Sequence, residues 1–173
     1  MKKLFVVLAA SFLAGCASGP IQWQALGPEK EAEYEKFDKP GTGSIKGQAF
    51  MQQYGGGTVK AAGRLVTLDP ITSISTEWWA EYAQWYMPPI NPTDKAPPSP
   101  GFEKTRRTTT ADSEGRFKFS GLPVGRYYLR TTVTWNVPKI RIIYLGTSEQ
   151  GGILSKIVEV KDGEEVEVIM AGN

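Results

Sequence analysis

The feature that most restricts the fold of this chain is an alternating run over residues 108–135, TTTADSEGRFKFSGLPVGRYYLRTTVTW. Within it, Phe117 and Phe119 alternate with Arg116 and Lys118, which places the two rings on one face of a strand and the two charges on the other. After a short break, apolar and polar side chains alternate again up to the final tryptophan of the run. A period of two on both sides of a break predicts two neighbouring, half-buried β-strands.

Turn-forming residues separate these strands. Asp112 and Gly115 suit the first and fourth positions of a type I turn, and residues 122–125, LPVG, predict the next turn. Three consecutive glycines at 55–57 predict a flexible turn earlier in the chain. The strands predicted on either side of it are residues 44–51 and 59–68.

The C-terminal part shows the same pattern. Residues 157–160 and 166–170 are rich in valine, isoleucine and methionine, and Lys161-Asp162-Gly163 lies between them. An Asp-Gly turn between two such segments predicts a β-hairpin. About six to eight short strands at this spacing predict an all-β fold, and specifically a β-sandwich.

The spacing of the turn and core residues resembles that of a known family. The residues concerned are Thr110, Asp112, Gly115, Phe117, Phe119, Leu122, Pro123, Gly125, Tyr127 and Leu129, and, earlier, Gly43, Ile45, Gly47, Leu65, Val66 and Leu68. This pattern resembles the carboxypeptidase regulatory-like domain, which has a transthyretin-like β-sandwich. The resemblance covers about half of the chain after Cys16, implies a non-catalytic accessory or binding module, and supplies no catalytic residues. Residues 69–102 and 136–152 depart from it.

The long insertion at 69–102 contains the stretch STEWWAEYAQWYMPP. At helical spacing its large aromatic residues fall within an arc of ~120°, which predicts a short amphipathic helix. Ser75 is the predicted N-cap, and Pro88-Pro89 would end the helix. The proline-rich residues 88–100 that follow predict an extended loop. The aromatic stripe consists of Trp78, Trp79, Tyr82, Trp85 and Tyr86.

Two interpretations of this stripe remain open. The favoured one is that it packs on a face of the sandwich, as aromatic stripes on short helices usually do. The other is an exposed patch that binds a partner protein or a glycan, because tryptophan and tyrosine bury a large area at low entropic cost. In the glycan interpretation, Arg106 and Arg107 complete the site.

The N-terminus carries a targeting signal. Lys2 and Lys3 precede an apolar segment of ten residues, 4–13, which is too short to span a membrane as a helix, since about 20 residues are needed. The next residues, Leu13, Ala14, Gly15 and Cys16, resemble the lipobox of bacterial lipoproteins. The resemblance implies cleavage before Cys16 and acylation of its thiol, and therefore attachment to a membrane through a lipid anchor. Alanine rather than aspartate at position 17 favours the outer membrane.

These observations predict three regions. Residues 1–15 are a lipoprotein signal peptide, residues 16–42 a lipidated cysteine and a flexible tether, and residues 43–173 the sandwich with its insertion at 69–102. Little in the tether is apolar enough to be buried. A short helix is predicted within it, beginning at Pro28.

Composition excludes several functions. The chain has no histidine, and its one cysteine is the predicted lipidation site, so Ser-His, Cys-His and His-zinc sites are impossible. A carboxylate pair could still act on glycosides. We interpret Asp112, Glu114 and Asp162 first as turn residues, and the alternative interpretation of them as calcium ligands is the less favoured one. We therefore expect no catalytic residues, no metal site and no cofactor. Without Lys2 and Lys3, 18 basic and 18 acidic residues remain, which argues against a nucleic-acid partner.

The sequence thus predicts a non-catalytic lipoprotein of the cell envelope, anchored to the outer membrane, whose β-sandwich acts as a protein-interaction or scaffolding module. The alternative is a carbohydrate-binding module for envelope or extracellular glycans.

Overall fold

The computed structural model describes residues 28–83, 99–141 and 144–172, and it contains two four-stranded sheets packed face to face. The strands are β1 (Gly43–Gln52), β2 (Thr58–Lys60), β3 (Leu65–Pro70), β4 (Arg107–Thr110), β5 (Arg116–Leu122), β6 (Gly125–Arg141), β7 (Tyr144–Val160) and β8 (Glu165–Gly172). In the first sheet β1 pairs with β2, β5 and β8, and in the second the order is β4-β3-β6-β7. The helices are α1 (Pro28–Glu31), a 3₁₀ helix (Ala32–Phe37), α2 (Ser73–Ala83) and α3 (Pro100–Thr105). The prediction of an all-β sandwich with an inserted helix is confirmed.

The main core lies between the two sheets and follows the predicted alternation. Phe117 and Phe119 are buried, whereas Arg116 and Lys118 are exposed. On β6, Tyr127, Leu129 and Val133 face the same core, and Trp135 packs against it. The largest side chains that are fully buried there are Tyr127, Ile45, Leu68, Leu122, Leu129, Val66, Val133 and Val160.

The predicted turn at Asp112 is present and well bonded. The backbone N–H groups of Glu114 and Arg116 both donate to Asp112 Oδ1 at 2.8 Å. Gly115 adopts φ +73°, and a Cβ there would lie 2.5 Å from the carbonyl oxygen of Ala49. Only glycine therefore fits the end of this turn.

The segment 59–68, predicted as one strand, forms two strands in different sheets. β2 pairs with β1 in the first sheet, and β3 pairs with β4 and β6 in the second. A tight turn separates them, in which Arg64 N donates to Ala61 O at 3.0 Å. The prediction of a turn at the glycines 55–57 is confirmed, since Gly56 N donates to Gln53 O at 3.0 Å.

The C-terminal hairpin prediction is wrong. β7 pairs with β6 in the second sheet, whereas β8 crosses to the first sheet and pairs with β1 in parallel. The Asp162-Gly163 turn is therefore a corner between the sheets. Thr42 holds this corner, because its hydroxyl group donates to the Asp162 carboxylate and accepts from Gly163 N.

The tether prediction is wrong for residues 28–42, which belong to the folded domain. Tyr34 and Phe37 are buried, and the Phe37 ring packs edge-on against Tyr127 at 5.5 Å between centroids. Gly41 N also donates to Gly121 O at 3.1 Å. The helix predicted at Pro28 is present. The remainder of the predicted tether, the signal peptide and Cys16 lie outside the described residues.

The inserted helix α2 is confirmed, but its predicted N-cap is not. The helix begins at Ser73, and Thr72 caps it, since Thr72 Oγ1 accepts from Ser75 N at 3.1 Å. Ser75 Oγ accepts in return from Thr72 N at 2.8 Å, the reciprocal arrangement of a capping box. Residues 84–98, with most of the predicted proline-rich loop, lie outside the described residues. No helix in the described part of the chain is long and apolar enough to cross a membrane.

The two ends of the sandwich differ. At the helix end, β3 leads into α2 and α3 leads into β4, and the corner at Asp162 lies there as well. At the ribbon end, β6 continues past Thr131, the last residue that pairs with β3. Beyond it, β6 and β7 pair with each other and with no other described strand. They form a two-stranded ribbon of residues 132–141 and 144–153.

Candidate functional site

A second aromatic cluster lies on the outer face of the second sheet, away from the main core. It consists of Tyr34, Ile74, Trp78, Trp79 and Phe102, with Tyr128 of β6 packed against it. The rings make edge or tilted contacts, with centroids 4.5 Å apart for Trp78 and Trp79 and 5.1 Å apart for Trp78 and Phe102. The N-terminal helices, α2 and α3 thus cover this face of the sheet together.

The structure places two predicted binding residues inside this cluster. Trp78 is fully buried and Trp79 is 5% exposed, so neither indole presents a surface to a partner or a glycan. For these two residues the binding prediction is wrong, because the sheet and α3 cover the face of α2 that carries them. The backbone of Tyr82 lies in α2, and its side chain, Trp85 and Tyr86 lie outside the described part of the molecule.

A buried ion pair lies beside the aromatic cluster. Asp69, at the end of β3, is fully buried. Two nitrogens of the Arg106 guanidinium bind the two oxygens of its carboxylate. Arg106 Nε donates to Oδ1 at 2.6 Å and Nη2 donates to Oδ2 at 2.9 Å. The same guanidinium lies over the rings of Phe102 and Trp78, at 4.5 and 5.4 Å from their centroids. This geometry is the strong, bidentate form of an ion pair.

A second arginine approaches the same carboxylate. Arg130, on the outer face of β6, is 8% exposed and lies 4.1 Å above the Trp79 ring. Burial lowers the pKa of Arg130 to about 10, although the nearby charge of Asp69 acts in the opposite direction. Burial also raises the pKa of Asp69, against the guanidinium of Arg106, which favours the ionised form. One carboxylate and two guanidinium groups thus share a small apolar space.

Sequence reasoning identified Arg106 but missed Asp69 and Arg130 as its neighbours. Arg107, predicted beside Arg106, does not join the cluster. It is the first residue of β4, pairs with Leu68 across the sheet, and is exposed. A possible signal for Asp69 was its position directly before Pro70, at the end of an apolar strand, where a turn explains an acid equally well.

The described residues hold no group of three or more Asp, Glu, His or Cys that could bind a metal ion. Asp112 and Asp162 serve their turns, as given above, and Glu114 pairs with Lys60. An open groove of about 390 Å³ lies along the 3₁₀ helix, lined by residues of mixed charge. One of them, Glu33, is already bound to Ser73 at the start of α2. Neither these acidic residues nor the groove forms the set of convergent polar groups that is typical of a small-molecule site.

The ribbon end presents a different kind of surface. Among the described residues, no strand pairs with the outer edge of β7, nor with β6 beyond Thr131. Val137 on the ribbon is 39% exposed, and the side chain of Tyr54, in the neighbouring glycine turn, is fully exposed. Trp135 packs across Gly151, whose φ of +102° and lack of a Cβ make room for the indole. Near the base of the ribbon, Arg64 Nη2 donates to Thr134 O at 3.1 Å. The rest of the surface offers strand edges that no described strand covers, with a few exposed apolar side chains.

No family model matches the chain, and no curated protein matches it. Among solved structures, the chain is similar to a proposed carbohydrate-binding protein of Pseudomonas aeruginosa, with 24% sequence identity and a TM-score of 0.66. The match covers 85% of this chain and 97% of that one. A match to the streptococcal ancillary pilin, with 15% identity and a TM-score of 0.30, covers 78% of this chain and 30% of that one. The first likeness supports the sandwich fold and the second is too weak to compare folds.

Proposed function

We propose that this chain is a non-catalytic lipoprotein of the cell envelope and that it binds a partner protein through the ribbon. The observation that carries the proposal is the ribbon itself, which leaves the sheet and whose outer edges pair with no strand among the described residues. One carbonyl near its base is occupied, since Arg64 Nη2 donates to Thr134 O at 3.1 Å. Such edges are the usual template for adding a strand from another chain. A two-stranded ribbon is also only marginally stable alone in water, so a partner would stabilise it.

Site-specific photocrosslinking in cells tests the partner. A probe at Val137 or Thr147, both exposed on the ribbon, is expected to give a discrete heavier product. The matched control is Val124, which is 56% exposed in a turn at the helix end. Products from Val124 alone, or no product from any position in folded, anchored protein, would contradict binding through the ribbon.

The lipid anchor has its own test. Replacing Cys16 with alanine is expected to abolish incorporation of labelled palmitate and to release the domain into the soluble periplasmic fraction. The reason is that several acyl chains are needed for stable anchoring, at ~0.8 kcal/mol for each buried CH₂. Membrane fractionation of wild type and variant provides the comparison, and an unchanged membrane fraction would count against the anchor.

A second candidate function is carbohydrate binding, which the Pseudomonas neighbour favours through its proposed role. In this chain the exposed Tyr54 ring, rather than the buried Trp78, would stack on the sugar. Titration with soluble peptidoglycan fragments, followed by calorimetry, should then show saturable binding that Tyr54→Ala weakens. Absence of binding at millimolar concentrations of the fragments would contradict carbohydrate binding and favour the proposal of a protein partner.

A further inference from the structure

We propose that two copies of this chain associate by antiparallel pairing of their β7 edges, centred on Ile157. This proposal concerns the sandwich part of β7 rather than the ribbon, and it does not depend on the proposed partner. It rests on three features of the molecule, which are an unpaired edge, an apolar side chain beside it, and a self-complementary register.

The first feature is the length of the free edge. β7 has 17 residues, all paired with β6 on one side, and no described strand pairs with its other side. It contains no proline, whereas the other edge strand of the same sheet, β4, has only four residues. Long edges without such protection are templates for further strand pairing.

The second feature is Ile157, which is 49% exposed on the outer face of β7. It pairs across the sheet with Tyr128, whose ring lies 6.1 Å from that of Trp79. The apolar surface of the aromatic cluster thus continues through Tyr128 and ends at Ile157, beside the free edge. A strand added here would cover the exposed half of Ile157.

The third feature is the register. With the two-fold axis at Ile157, the isoleucines of the two copies face each other, Ser155 of one copy faces Glu159 of the other, and Lys156 faces Val158. An axis at Lys156 or at Glu159 would place like charges directly opposite, which is unfavourable. An axis at Ser155 would bring Gly151, with its φ of +102°, into the ladder. Directly opposed residues of an antiparallel pair lie on the same face of the continued sheet, and at Ile157 this is the outer face.

Lys156 lies on the core-facing side of β7. A lysine ammonium group placed along a strand edge would oppose the pairing of a second strand with that edge. Its ammonium group is instead directed across the open side of the sandwich, where it donates to Ile169 O of β8 at 3.4 Å. The Lys156 charge therefore does not lie along the edge of β7, and no described strand pairs with that edge. The interface would be small, so we expect a weak, concentration-dependent dimer.

Disulfide trapping tests this register directly. In the full chain with Cys16→Ala, Ile157→Cys introduces the only thiol, and the two thiols would face each other across the axis at a distance that small shifts bring into disulfide range. Mild oxidation of the purified protein is expected to give a covalent dimer. Ile169→Cys is the matched control, because Ile169 is also 49% exposed but lies on the outer face of the first sheet.

Sedimentation of the same chain without the new cysteine provides the second measurement. The protein is expected to dimerise with rising concentration, and Ile157→Lys, which would place two ammonium groups together, is expected to abolish the dimer. A monomer at all concentrations, equal trapping at Ile169→Cys, or no covalent dimer of Ile157→Cys would overturn the proposal.

Discussion

Replacing Arg106 with methionine is expected to lower the free energy of unfolding by about 3–5 kcal/mol at neutral pH. Methionine keeps much of the apolar stem of the side chain. The main loss is therefore the guanidinium, which binds Asp69 and lies over the rings of Phe102 and Trp78. Without it, the fully buried Asp69 loses both of the charged hydrogen bonds to its carboxylate. Urea denaturation followed by tryptophan fluorescence measures the difference.

The sign of the pH dependence separates this explanation from a loss of packing. Burial already raises the pKa of Asp69 in the folded protein above its usual value of 3.8, and removal of Arg106 raises it further. A carboxyl group with a raised pKa in the folded state favours folding below its unfolded pKa, and that contribution is lost as the pH rises through the folded pKa. The deficit of Arg106→Met should therefore shrink towards about pH 4.

The chain supplies a matched control in the next residue. Arg107→Met removes the same charge from an exposed position at the sheet edge, and little change is expected. The double variant Asp69→Asn with Arg106→Met removes both partners of the ion pair and should recover part of the stability. The recovery is incomplete because the buried Arg130 loses the neighbouring charge of Asp69. An equal effect of Arg106→Met and Arg107→Met, or a deficit independent of pH, would contradict the buried pair.

Local alternation was enough to predict the sheets but not the way in which they join. Phe117 and Phe119 predict the buried face of their strand, because side chains two residues apart in a single strand point to the same side. The pattern around Asp162-Gly163 is the same whether the chain folds back within one sheet or crosses to the other. The crossing is decided by Val158 and Val168 facing the core from opposite sheets, together with Thr42, which lies 120 residues from Asp162.

The aromatic stripe shows a similar limit. Helical spacing correctly placed Trp78 and Trp79 on one side of a helix, but it could not say what covers that side. Tyr34 and Phe102 cover it, and they come from a segment interpreted as a tether and from the end of the insertion. A short polar stretch such as residues 28–42 can carry two buried rings and still have the composition of a linker.

The ion pair was beyond the sequence for a different reason. Asp69 and Arg106 are 37 residues apart, and the pairing of β3 with β4 sets their approach. An acid before a proline is usually a turn residue, and an arginine after a short helix is usually solvated. The close packing of α3 on β3 removes water from both side chains. Because this packing is a tertiary feature, neither the residue types nor their spacing could predict the ion pair.

Replacing Trp78 with alanine is the second change with a large expected effect, a loss of about 3–5 kcal/mol in the free energy of unfolding. The indole is fully buried and packs against both Trp79 and Phe102, so its removal leaves a cavity under α2. It also removes one of the rings beneath Arg106. Because whole domains are stable by only 5–15 kcal/mol, this is a large fraction of the total. Urea denaturation followed by far-UV circular dichroism measures it without relying on the lost fluorophore.

Two further variants distinguish a core role of Trp78 from a role in a binding surface. Trp78→Phe, which leaves a smaller cavity, should fold with an intermediate loss, so the comparison survives if the alanine variant fails to fold. Tyr54→Ala removes a ring that is fully exposed and should leave the denaturation curve almost unchanged. If Trp78→Ala were as harmless as Tyr54→Ala, the indole would have to be exposed in solution, and the stripe would regain its place as a binding surface. A large loss for Trp78 alone assigns it to the packing of α2, and leaves recognition to the ribbon end.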